Sequence, residues 1–184
     1  MNALINLHNA IFARIEARAG CALPTLARFA FAAVFLVYFL NSARLKFGDG
    51  IMGIFKPASG AYFQIFPKAI EAAGYDVGAL GMFHYLVVLA GTWAEFLLPI
   101  AIVIGLFTRL ASLGMIGFIV VQSLTDLYGH MLINEPKAVG RWFDIAPDSV
   151  IMDQRLLWVM LLVILIFKGA GPLSLDRLLR RKPT

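Results

Sequence analysis

One carboxylate, Glu95, stands inside an apolar run that starts near Met82 and reaches about Phe107, four residues before Pro99. An ionised acid at the middle of a bilayer is disfavoured by about 3 kcal/mol or more, so it must face protein or a wet cavity, or hold a proton. Pro99 carries no N–H, and the Glu95 carbonyl therefore loses its helical partner at the depth where the carboxyl sits. Gly91 and Thr92, one turn away, let a neighbouring helix approach and offer a hydroxyl. This spacing predicts a polar pocket between helices, with Glu95 as a proton-handling or headgroup-binding acid. A structural hydrogen bond to a neighbouring helix explains the same residue equally well.

Further polar residues converge on the same half of the molecule. His84 precedes Glu95 by three turns and shares its face to within about 20°. Gln122, Asp126 and His130 recur at intervals of four, which is one stripe of a helix. Asn41, Arg44 and Lys46 close one apolar stretch, and Asp153, Gln154 and Arg155 open another. Lipid tolerates no such gathering, so these groups are expected to point into a bundle or its mouth. Lys46, His84, Thr92, Gln122, Asp126 and His130 are the ligand-binding candidates around Glu95. Plainer readings stand beside each. Two loosely spaced histidines and a carboxylate make a poor metal set, and no metal site is expected. Asp126 with Arg44, Lys46 or Arg155 suits a structural ion pair. Arg28 is expected to reach toward headgroups, and Cys21 to be a small buried residue at the membrane edge.

The elements that must position these residues are helices in a membrane. The chain has 184 residues, 60% apolar and 15% charged, with mean hydropathy +0.81. A soluble domain of this size could not hide so much apolar side chain. The pattern predicts an all-α, integral membrane four-helix bundle forming one domain over 1–184, with spans at about 24–45, 82–107, 110–128 and 154–168. "GLFTRL" at 105–110 is the only polar break in the middle run, and so a tight hairpin. Residues 3–18 place Leu4, Leu7, Ile11 and Ile15 on one face, as in an amphipathic interfacial helix. Pro24 is expected to open the first span. The loops at 48–80 and 129–153 carry short aromatic-rich pieces suited to a bundle mouth.

Orientation follows from Lys and Arg. With both termini inside, nine bases flank the inner ends against two acids, Glu16 and Asp176, whereas eight of the eleven acids fall outside. That favours an N-in, C-in arrangement. The net charge of +5 then reads as attraction to anionic lipid, not nucleic acid. A single cysteine excludes an internal disulfide and any multi-cysteine metal site. Neither a lipoprotein signal at "ARAGC" nor a cleavable signal peptide is expected, since no apolar segment precedes Cys21.

Three blocks resemble the DoxX family of small four-helix bacterial membrane proteins. They are "SARLKF" at the end of the first span, the acid of the second span followed by "IGLFTRLAS", and the closing "GAGPLSLDRLL". The likeness covers roughly 24–180 and falls on Lys46, Glu95, Thr108, Arg109, Ser174 and Asp176; Ala43 stands where the family often has glycine. His84 and His130 lie outside it. The resemblance implies a multi-pass protein of the bacterial inner membrane that accompanies a redox system. One member is a subunit of thiosulfate:quinone oxidoreductase, and others are linked to oxidative-stress complexes or peptide maturation. It further implies a protein partner of a redox or maturation system; a quinone is the expected ligand, since the aromatic-rich outer loops suit an apolar ring with two polar ends, and no covalently bound cofactor is expected. With no cysteine pair, the chain is not expected to be catalytic alone. The rival reading is a non-enzymatic scaffold, or a small-solute or lipid transport element, docking a partner through its outer loops. Homo-oligomerisation stays open.

Overall fold

The computed structural model describes residues 2–180; Arg181 and Lys182, two of the bases counted toward orientation, lie outside the described residues. The described residues are all helical apart from loops, with one isolated bridge between Phe47 and Pro57. Four helices are long and apolar enough to cross a membrane, as in a multi-pass membrane protein: α1 (Asn2–Lys46), α4 (Met82–Ile104), α5 (Thr108–Gly129) and α7 (Val150–Lys168). Short helices α2 (Ser59–Ile65) and α3 (Pro67–Ala72) follow α1, α6 (Pro136–Val139) lies between α5 and α7, and α8 (Leu175–Arg180) follows α7.

The long helices pack in a ring, α1 against α4, α4 against α5, α5 against α7, and α7 back on α1. Their outward faces carry Phe29, Val37, Leu86, Leu97, Leu113 and Leu157, all exposed. On the inside, α1 buries Ala27, Phe31, Phe35, Phe39 and Ala43, one residue in four. Spaced so, a stripe drifts around an ideal helix of 3.6 residues per turn. A wider π-type turn over Ala32–Leu36 absorbs the drift and keeps the stripe on the core. Trp158 of α7 stacks on Phe35 with ring centres 4.8 Å apart, and Phe118 of α5 meets Phe39 edge-on at 6.0 Å.

Two expectations about α1 are corrected here. No new helix opens at Pro24, because α1 runs unbroken from Asn2 through it. The small residues Ala19, Gly20, Cys21 and Ala22 crowd nothing in the preceding turn, and a buried Pro24 sits on the core side. Cys21 is exposed, not buried.

The tight hairpin falls at Gly105–Phe107. Gly105 ends α4 with φ +73°, and the Leu106 N–H donates back to the Ala101 carbonyl at 2.9 Å, a glycine-dependent helix stop. Asp176 then caps α5 from 68 residues away: its two carboxylate oxygens accept the Phe107 and Thr108 N–H groups at 2.7 and 2.9 Å. Burial alone would raise this carboxyl, but the N–H donors of Thr108 and Phe107 and the charge of Arg180 outweigh it and hold the group below the usual range.

Arg28 also differs from expectation. It is 8% exposed and does not reach for headgroups. Its Nε donates to the Ile102 carbonyl at 2.9 Å, Nη2 donates to Val103, and Nη1 donates to Ala170 at 2.9 Å. The guanidinium thus bonds carbonyls in the last turn of α4, where helical partners run out, and ties them to the chain just after α7. The "GLFTRL" and "GAGPLSLD" blocks are thus two sides of one clasp, which locks the hairpin end of the bundle.

Candidate functional site

The opposite end is open and polar. α1 stops at Lys46, and the chain turns back along α4 with a single short 3-10 turn at Ile51–Ile54. The Gly48 N–H donates to Gly53 at 3.1 Å and Ala58 to Lys46 at 2.9 Å. A side chain at Gly48 or Gly53 would collide with the facing backbone, so only glycine allows this tight fold. Trp93 and Tyr85 of α4, about two turns apart, donate to the carbonyls of Ile54 and Phe55 at 3.0 and 2.8 Å. The loop therefore lies along one half of α4, with α2 behind it, where Ala61 and Tyr62 pack on Val88.

This arrangement brings the end of α1 to Glu95. Lys46 Nζ lies 2.6 Å from Glu95 Oε2 and donates to Ser42 Oγ at 2.7 Å, with the lysine and glutamate side chains 9% and 4% exposed. Lys46 is not a detached group at a mouth, and Glu95 is not a lone acid. They form a buried ion pair with a hydroxyl at one corner. A second pair joins Arg155 of α7 to Asp126 of α5. Each of its members sits in or beside a widened turn, over Thr125–Gly129 and Val150–Gln154. The start of α7 is fixed by a reciprocal cap, in which Asp153 N–H donates to Ser149 Oγ and Ser149 N–H to the Asp153 carboxylate.

Between the two pairs lies a cavity of about 750 Å³. At 1.5 Å rise per residue, Glu95 stands about 13 Å from the hairpin end of α4 and Asp126 about 27 Å from that of α5. The side chains lean toward each other, because each points to the N-terminus of its own helix and the helices are antiparallel. The walls are small: Ala90, Gly91 and Ala94 on α4, and Gly114 and Gly117 on α5. A methyl group at Gly117 would meet no heavy atom within 4 Å, and one at Gly91 only the tip of Ile65 at 3.6 Å. Small side chains at these positions leave the space between helices that otherwise pack closely.

Of the residues singled out from the sequence, Glu95, Lys46, Gln122, Asp126 and His130 line this cavity. Gln122 Nε2 donates to the Tyr38 hydroxyl at 3.4 Å, and the His130 ring bonds the Gln64 carbonyl at 2.9 Å, tying α5 to α2. Thr92 and His84 do not line it. Thr92 is fully buried and donates to the Val88 carbonyl of its own helix at 2.8 Å. His84 packs edge-on against Phe66 with ring centres 4.8 Å apart. Tyr38, Ser42, Gln64 and Arg155 line the cavity but were not among the candidates. Ser42 could have been found, since it lies one turn before Lys46 on the same face. Comparisons of the chain with family models, with curated proteins and with solved structures return no match.

Proposed function

We propose that the cavity binds a membrane-soluble quinone, and that the chain is a DoxX-like accessory subunit of a membrane redox system. The observation that carries this reading is the cavity between the spans, with small apolar walls and charged pairs at two levels. A quinone is a flat apolar ring with an oxygen at each end, which matches such a site. The chain holds no thiol pair, so electrons would pass to a partner, and the protein alone would not turn over. Exposed Phe143 and Ile145 in the loop before α7 give a partner apolar ground to dock on. In this reading both termini lie on the inner side of the bacterial inner membrane, where the unbroken α1 carries Leu4, Leu7, Ile11 and Ile15 exposed beyond the bundle.

A second reading has its own support. Lys46, Glu95 and Ser42 satisfy one another without a ligand. A scaffold, or a lipid transport element that docks a partner, needs no more than this. Binding of decylubiquinone to the detergent-purified protein, followed by quenching of the Trp93 and Trp158 fluorescence, separates the two. Gly117→Leu projects into the open space beside the cavity and leaves both ion pairs intact. Saturable quenching that Gly117→Leu abolishes supports the quinone site. Absent quenching, or quenching untouched by that substitution, favours the scaffold.

A further inference from the structure

Resting on the quinone reading, we propose that Arg155 anchors the ligand, through two N–H groups that meet its carbonyl oxygen. Arg155 is 5% exposed and lines the cavity. Asp126 accepts from Nη2 alone. Nε and Nη1 are closed to water and find no acceptor among the described residues, so the guanidinium turns toward the cavity it lines for a ligand to reach them. Buried donors without partners are rare, and those on a charged group are the most costly to leave unmatched. Five N–H groups in a rigid plane suit this side chain to gripping one partner while offering its remaining edge to another.

The other cation of the cavity is already committed. Lys46 gives two of its three N–H groups to Glu95 and Ser42, so Arg155, with Nε and Nη1 both unmatched, has the more donors to give. Charge then narrows the ligand. Both cations are neutralised by adjacent carboxylates, and a further anion would lie beside Asp126 without a counter-charge. An uncharged carbonyl oxygen fits, being an acceptor that brings no net charge. A second polar point completes the pattern. The Gln122 amide bonds Tyr38 through Nε2 and leaves Oε1, an acceptor, buried with no partner among the described residues; turned over, the amide accepts from the Tyr38 hydroxyl through Oε1 and frees its N–H groups for a ligand oxygen. The site thus offers two donors from α7 and one amide group from α5, a helical turn from Asp126. The matching ligand class is an uncharged, ring-bearing amphiphile with two oxygens, one of them a carbonyl.

The test uses decylubiquinone carrying carbon-13 at its carbonyls, with the whole protein in detergent. In the wild type, the infrared carbonyl band of bound quinone is expected below that of quinone in detergent alone. Arg155→Lys keeps a cation opposite Asp126 but removes the planar fork. It should weaken binding about tenfold or more, the size of one lost hydrogen bond to a charged donor, and return the band toward its free position. Arg155→Gln combined with Asp126→Asn removes both charges together and should give the same two changes. An unshifted wild-type band overturns the anchor. So do unchanged affinity and band in both variants while Gly117→Leu still blocks binding, although the cavity reading then survives. If the wild type binds no quinone, or Gly117→Leu binds as well as the wild type, the underlying reading fails and the anchor fails with it.

Discussion

Breaking the Lys46–Glu95 pair from either side should cost far more than removing it whole. At an effective dielectric near 20, two unit charges at the 2.6 Å contact attract by about 6 kcal/mol. Both side chains are more than nine-tenths buried, so the loss of their hydration offsets most of that gain. A surviving charge without its partner keeps the hydration loss and forfeits the attraction. Glu95→Gln and Lys46→Met should each cost about 3–5 kcal/mol. The double variant replaces the pair with uncharged groups of similar length and should cost less than either single change. The coupling energy would then be at least about 3 kcal/mol, at the upper end for residues in direct contact. Unfolding in mixed micelles, titrated with dodecyl sulfate and followed by helical circular dichroism, measures all four proteins. Additive single effects, or a Glu95→Gln cost under about 1 kcal/mol, would show that the carboxylate and ammonium do not depend on each other.

Three further outcomes concern the clasp. Asp176→Asn should lower stability by about 1 kcal/mol at pH 7, the worth of a helix cap. A carboxyl held low in the native state contributes stability above its unfolded value, near 3.9, and loses it as pH falls through the native value. The difference between wild type and Asp176→Asn, read from unfolding curves across pH, should therefore shrink below about pH 4. Gly105→Ala places a methyl group 2.5 Å from the Ser174 side chain at φ +73°, so a cost of about 2 kcal/mol or more and a lower unfolding midpoint are expected. Arg28→Lys keeps the charge but cannot reach the carbonyls of Ile102, Val103 and Ala170 together. A loss of about 2 kcal/mol in the same assay is expected, with faster hydrogen exchange at the end of α4.

The helices were legible because a bilayer imposes length and composition on them. The expected second, third and fourth spans fall within about four residues of α4, α5 and α7. The stripe of Gln122, Asp126 and His130 was readable too, since helical periodicity alone puts those side chains on one face. What joins separate elements was not. Lys46 reaches Glu95 because the end of α1 packs on α4, a contact between segments that no local pattern shows. Arg28 was misread for a related reason: a basic residue near a span end looks the same whether it meets lipid phosphate or the carbonyls of another helix. Pro24 misled differently. Its ring suits the first turn of a helix, yet a proline within a longer helix costs little beside the burial of that helix against its neighbours. Arg155 was offered as a partner for Asp126 alongside Arg44 and Lys46, and the sequence could not choose among them, because the widened turn before Arg155 leaves no mark in hydrophobic periodicity.

A ligand site between the spans should hold its ligand in the native membrane. Its most direct test is to purify wild type and Gly117→Leu from native membranes in mild detergent and identify the co-purifying small molecules by mass spectrometry. A quinone close to one per chain in the wild type, depleted at least about tenfold in Gly117→Leu, is the predicted result. Phospholipid alone in the wild type, or equal quinone in both proteins, would contradict it.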